Sequence, residues 1–161
     1  MGKLENASVQ RVAAALAEHG IEGRIVELTD TARSAQDAAD TIGCELGAIV
    51  KSLVLEINGQ AVMALIAGDR QCDTSAMPNA LSLDGQCKRA DADLVRAATG
   101  MAIGGVAPVG HSQTVPMVVD GSLARFDKIY AAAGHPYCVF QTTLKELNRI
   151  TAAPVSDKIS V

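Results

Sequence analysis

"AIVKSLVLEINGQAVMALIAG" occupies residues 48–68, and its reading decides the fold. Asn58-Gly59 is the strongest two-residue hairpin signal, because both central residues of a type I′ turn need positive φ. Runs rich in Val, Ile and Leu flank the pair on both sides, so two antiparallel strands are expected around it. Their apolar character places the hairpin centrally in a sheet.

Outward from the hairpin, helices and strands mix without strict alternation. Residues 8–20 read as a helix capped by Ser8, with Val9, Val12, Ala13 and Leu16 on one face and Gly20 at its end. Residues 24–28 read as a short strand. Ser34 and Asp37 have capping-box-like spacing at the start of a second short helix that stops at Gly43. Pro78 and Gly85 punctuate residues 69–87, so any helix there is short. A clearer helix starts near Asp91 and ends before Gly100. Strands are expected in residues 115–121, 128–134 and 137–141, with a helical turn near residues 122–126. A closing helix begins at Thr143, with Glu146 completing the capping-box spacing. No repeat or linker interrupts the pattern. The expected fold class is α+β, one domain over residues 1–161.

Composition narrows the function. The chain has 161 residues, enough for one domain with a real core. Hydrophobic residues make up 48% and aromatics 2%, so Ala, Val, Leu and Ile must build that core. An aromatic stacking platform for single-stranded nucleic acid is therefore not expected. The net charge of −4 supplies no global basic field, so DNA is not an expected partner. The longest apolar run is too short to span a bilayer, and no membrane partner is expected. "MGKLENASVQ" lacks the apolar core of a signal peptide, which predicts a cytoplasmic protein with reduced thiols. Cys44, Cys72, Cys87 and Cys138 form no C-x-x-C pair, and His111 and His135 lack a third ligand, so no metal is expected. Neither a dinucleotide fingerprint nor a P-loop is present, and no cofactor is expected.

Three features bear chemistry. Lys51 lies among apolar neighbours in a strand, where a lysine is seldom buried without a partner. It is either snorkelling to water or offered to an anion at a pocket rim. "AIGGVAPVGH", residues 102–111, concentrates glycines between a helix and a strand. The Gly104, Gly105, Val106, Ala107, Pro108 run can serve tight packing, or present backbone N–H groups as an anion nest or oxyanion hole. His111 closes that loop, and His135 stands in "AGHPY" between two strands; either can titrate near neutral pH. His19, at a helix end, reads as structural.

With Lys51, the glycine loop and "GHP" in this order, the chain resembles the YbaK/ProX family, free-standing relatives of the editing domain of bacterial prolyl-tRNA synthetase. The resemblance runs through "CELGAIVKSLVLEINGQAVMALIAGDRQCD", "KRADADLVRAATGMAIGGVAPVGH" and "VVDGSLARFDKIYAAAGHP". It implies a mixed, barrel-like sheet surrounded by helices, and a hydrolase acting on the ester of mischarged aminoacyl-tRNA. By the same resemblance, Lys51 would hold the phosphate near the terminal adenosine. Gly104 and Gly105 would serve the reacting carbonyl, and His135 would line the substrate site. Val106, Ala107, Pro108 and His111 would contact substrate around the pocket. The implied partner is the acceptor end of aminoacyl-tRNA, with tRNA-Pro and a small residue such as alanine or 2-aminobutyrate favoured. Association with prolyl-tRNA synthetase would offset the weak tRNA affinity of an acidic protein.

One departure separates the chain from the cysteine-clearing branch: "GHPYCVFQT" holds no acid until Glu146. Cys138 in that stretch reads as a small buried residue rather than a nucleophile. Arg70, Lys88 and Arg89 are further cations that could meet the acceptor end, though a solvated face suits them equally. Two alternatives stand beside the main reading. One is the same reaction on Cys-, Ser- or Thr-tRNA; the other is a non-catalytic tRNA- or nucleotide-binding module.

Overall fold

A computed structural model describes residues 2–29 and 34–161. The hairpin forms as the sequence requires. Strand β2 (Ile49–Ile57) pairs antiparallel with β3 (Gln60–Ala67) through eight residue pairs, from Val50 with Ala67 to Ile57 with Gln60. Asn58 and Gly59 both take positive φ, 51° and 80°, which closes the turn.

Around this pair the remaining strands are β1 (Ile25–Glu27), β4 (Cys87–Arg89), β5 (Met117–Asp120), β6 (Ile129–Ala132), β7 (Cys138–Thr142) and β8 (Val155–Ser156). They build one mixed sheet in the order β1-β7-β6-β2-β3-β5-β8, with β4 paired to β2 outside that path. The β2–β6, β3–β5 and β5–β8 neighbours are parallel.

The period-two geometry of a strand divides β3 between two cores. Ala61, Met63, Leu65 and Ala67 join the cluster that holds Val9, Val12 and Leu16 of helix α1 (Ala7–Glu18). The same cluster receives Val95 and Ala98 from α4 (Ala92–Thr99) and Leu147 and Ile150 from α5 (Leu144–Thr151). Val62, Ala64 and Ile66 face the opposite cluster with Ile159 and with Met77 of the short helix α3 (Met77–Leu81). Every β3 residue from Val62 to Ala67 is fully buried.

Helix caps follow the sequence except at the first. Ser34 accepts from the Asp37 amide at the start of α2 (Ala35–Ile42), Asp91 from the Leu94 amide, and Thr143 from the Glu146 amide. At α1 the cap is Asn6 rather than Ser8: its Oδ1 accepts from the Ser8 and Val9 amides at 2.8 and 3.4 Å. The helix already includes Ala7, so Ser8 lies inside the first turn and its hydroxyl reaches the Gly100 carbonyl at 3.4 Å instead. The short β4 and β8 are additions to the sequence reading.

Candidate functional site

The far edge of β2 is divided. At its start, Ile49 and Val50 pair with Tyr130 and Ala131 of β6; at its end, Leu55 to Ile57 pair with β4. Between these partners residues 51–54 lie at a fork in the sheet. A cleft of about 300 Å³ opens there, floored by β2 and walled by α2, the glycine loop and the β6–β7 turn.

Lys51 lines this cleft. Its ammonium donates to the Arg70 carbonyl at 2.5 Å, in the turn that follows β3. Arg70 is itself held, its guanidinium donating to the Ser160 hydroxyl at 2.8 Å and the Ser160 carbonyl at 3.0 Å. An ammonium has three N–H groups, so this anchor orients Lys51 while leaving donors for a further anion.

The glycine loop supplies Gly104 and Val106 to the same cleft. Gly104 has φ +94°, a conformation open to glycine at little cost. Neither the Gly104 nor the Val106 amide donates to another described residue. The amides on either side of Val106 are occupied: Gly105 N–H bonds the Ala102 carbonyl at 3.1 Å, and Ala107 N–H the Met101 sulfur at 3.4 Å. Gly105 cannot carry a side chain here, because a Cβ would stand 2.8 Å from His135 Cα. The glycine loop and the His135 segment thus pack backbone against backbone.

The remaining sequence candidates lie outside the cleft lining. His135 does not line the cleft, although the next residue, Pro136, does. Its Nδ1 accepts from the Tyr137 amide at 3.1 Å, which in the neutral ring places the proton on Nε2. His111 is also outside the cleft lining. Its Nε2 lies 2.6 Å from the Ala107 carbonyl, so this nitrogen is the donor and the ring staples the loop. Burial pushes the His111 pKa down, with the Ala107 hydrogen bond opposing it, so the neutral ring dominates at pH 7. Ala107 and Pro108 are buried and form the back of the loop.

Thiol chemistry has no place in this arrangement. Burial pushes Cys72 and Cys138 up to about 11, and raises Cys44 and Cys87 as well, so the nucleophilic thiolate is scarce at neutral pH. Glu146 is spent on structure: it accepts from Arg24 and from the Thr142 hydroxyl. Burial raises its carboxyl, but those hydrogen bonds outweigh it and the net shift is downward. Among the described residues no three His, Cys, Asp or Glu side chains gather as a metal site. No helix among them is long and apolar enough to cross a membrane.

Sequence reasoning passed over several cleft residues, chiefly Ser52, Ile103 and Tyr130. Ser52 carried a signal, as a lone small polar residue in an apolar strand. Tyr130 and Ile103 carried none, since only the pairing of β6 beside β2 and the course of the loop bring them in.

Residues 29–150 match the family described as the aminoacyl-tRNA editing domain. The chain belongs to that family, whose chemistry is hydrolysis of the aminoacyl-tRNA ester. Among solved structures it is similar to a candidate trans-editing enzyme for prolyl tRNA synthetase, at 37% identity and a TM-score of 0.87. That likeness covers 94% of this chain and 96% of the other. Among sequences it is 29% identical to the protein YwhH of Bacillus subtilis (strain 168), over 83% of this chain and 85% of that one. It is 32% identical to the proline–tRNA ligase of Citrifermentans bemidjiense over 72% of this chain, which spans only 19% of the ligase.

Proposed function

We propose that the chain is a trans-editing domain that removes alanine or 2-aminobutyrate from mischarged tRNA-Pro. The observation that carries this reading is the meeting of Lys51 with the unpaired amides of Gly104 and Val106 in one cleft. The free donors of Lys51 hold the phosphate next to the terminal adenosine. The loop amides receive the oxygen of the ester carbonyl.

An aminoacyl ester is already activated, so placing water and stabilising the oxyanion account for most of what catalysis requires. Water adds to the carbonyl carbon, and negative charge collects on the oxygen facing the amides. The C–O bond to the ribose then breaks, and the ribose oxygen leaves as a hydroxyl with the proton lost by water. The neighbouring ribose hydroxyl of the substrate is placed to relay that proton. Each such amide contributes on the order of a hundredfold or more in rate.

His135 and His111 serve as positioning residues. The backbone of His135 supports Gly105, and the ring of His111 fixes the carbonyl of Ala107. The apolar walls, among them Val50, Ala132 and Val139, accept a short aliphatic side chain. Discrimination by such a pocket is modest, about 10- to 200-fold per methylene, so tRNA identity must share the task. The working compartment is the cytoplasm, where aminoacyl-tRNA is made, and prolyl-tRNA synthetase is the partner that would deliver it.

The test is deacylation of tRNA-Pro charged separately with Ala, 2-aminobutyrate, Cys, Ser, Thr and Pro, against spontaneous hydrolysis. Rapid loss of the first two with Pro-tRNA spared is expected. Preference for Cys, Ser or Thr would move the substrate, and no acceleration on any would make the chain a binding module.

A further inference from the structure

Ser52 lines the cleft, and its hydroxyl oxygen is buried without a hydrogen-bond partner among the described residues. A buried, unsatisfied hydroxyl is costly, which makes an orphan in a cleft wall a pointer to a bound group. The main chain adds to it. The Met63 amide donates across to Pro116, beside β5, so Met63 and its partner Val54 form a non-hydrogen-bonded pair of the β2–β3 ladder. The main-chain groups of Val54 therefore point away from β3, as the bond from Ala90 N–H to the Val54 carbonyl also shows. Two residues earlier, the carbonyl of Ser52 points the same way, into the fork, at a position paired with neither β4 nor β6.

The polarity of the walls decides what would sit there. Lys51 and the loop residues Gly104 and Val106, whose amides have no partner among the described residues, bring hydrogen-bond donors to the cleft, and Tyr130 adds a hydroxyl. The Ser34 hydroxyl is already engaged as a helix cap. No carboxylate among the described residues lines the cleft. An aminoacyl ester brings acceptors, which those donors meet, and one strongly donating group, its α-ammonium. That group needs an oxygen, and Ser52 offers two, the hydroxyl and the carbonyl.

We infer that Ser52 is the acceptor for the α-amino group of the aminoacyl ester, and so fixes which face of the carbonyl meets the loop amides. This assignment rests on the deacylase reading above. It gives the site a means of recognising an amino acid as such, independent of its side chain.

The experiment compares tRNA carrying the cleaved residue with tRNA carrying its des-amino analogue, alanine against propionate in the first instance. Ser52→Ala should lower kcat/KM on alanyl-tRNA roughly ten- to a hundredfold, the range for a hydrogen bond to a charged group. It should leave propionyl-tRNA unchanged. Ser52→Cys, which keeps the shape and weakens the acceptor, should show the same selective loss. Equal loss on both esters, or undiminished activity on alanyl-tRNA, would overturn the assignment while leaving the deacylase reading intact. A wild-type protein inert on every aminoacyl ester would remove the reading beneath it, and this one with it.

Discussion

The two edges of β2 make a natural experiment within one strand. Toward β3 the ladder is continuous through eight pairs, and β3 is buried on both faces. Away from β3 the pairing passes from β6 to β4 and lapses between them, and there Lys51, Ser52 and the glycine loop meet. One edge spends its main-chain groups on cohesion; the other leaves some for a ligand. On the proposed function, stability and chemistry separate across the width of a single strand.

That separation can be broken by substitutions on either side of it. The largest effects should come from Lys51→Ala and Leu65→Ala, which should be opposites. Lys51→Ala should reduce deacylation by at least about a hundredfold, as removal of an electrostatic contact to the reacting end does, while the melting temperature stays near wild type. Leu65→Ala should cost roughly 2–5 kcal/mol of stability through its cavity and leave the turnover of the folded fraction unchanged. A Lys51→Ala protein that melts early but retains activity would erase the distinction.

Gly105→Ala sharpens the comparison because it touches both sides. A methyl group 2.8 Å from His135 Cα must displace backbone, at roughly 1–3 kcal/mol, and will carry the loop amides with it. Single-turnover rates should fall tenfold or more, beyond what the change in melting accounts for. A loss of stability alone would place Gly105 in packing only.

A smaller effect should appear with pH. His111 has a folded pKa below its unfolded value of about 6.5, so the neutral ring is the one the fold favours. Its contribution is fully present above about pH 6.5 and is lost as pH falls from there through the folded value. His111→Gln, which keeps a side-chain donor for the Ala107 carbonyl but does not titrate in this range, should flatten the stability profile below pH 6.5. Denaturant unfolding from pH 7.5 to 5 would check this, and an unchanged slope would remove His111 as its source.

The smallest effect belongs to the Asp69–Arg125 pair, which joins the turn after β3 to the 3-10 turn Gly121–Arg125 with two bonds of 2.8 Å. The Arg125 hydrogen bonds hold the Asp69 carboxyl below its usual range. Both side chains are substantially exposed, so Asp69→Asn should cost less than about 1 kcal/mol and leave deacylation unaltered. A large loss of activity would tie this turn to the anchoring of Lys51.

Local signals carried most of the fold. Asn58-Gly59, Ser34, Asp91 and Thr143 act through their own neighbours in sequence, and their hydrogen bonds form as the sequence predicts. Asn6 displaced Ser8 because two polar residues two positions apart compete for one cap, and a two-residue shift of the helix start decides between them. The β4 and β8 strands have three and two residues, too few for a periodic pattern, and exist through pairing with distant partners. The site divides along the same line. Lys51 and the glycine loop were visible as unusual composition, and the resemblance joined them. The fork was not visible, since it depends on where two non-local ladders stop, and the meaning of Ser52 depends on the fork.

The tether of Lys51 has a consequence for synthesis. The carbonyl that receives its ammonium belongs to Arg70, and Arg70 is clamped to Ser160. Gln71 and Val161 exchange main-chain hydrogen bonds beside it, each at 2.9 Å. The lysine is thus translated more than a hundred residues before the segment that braces its anchor. Closing so long a loop is slow relative to local hairpin formation. On the ribosome the β2–β3 hairpin can form early, but the cleft acquires its braced geometry only after residues 159–161 have cleared the exit tunnel. A nascent chain would therefore hold its central hairpin before its cleft is braced.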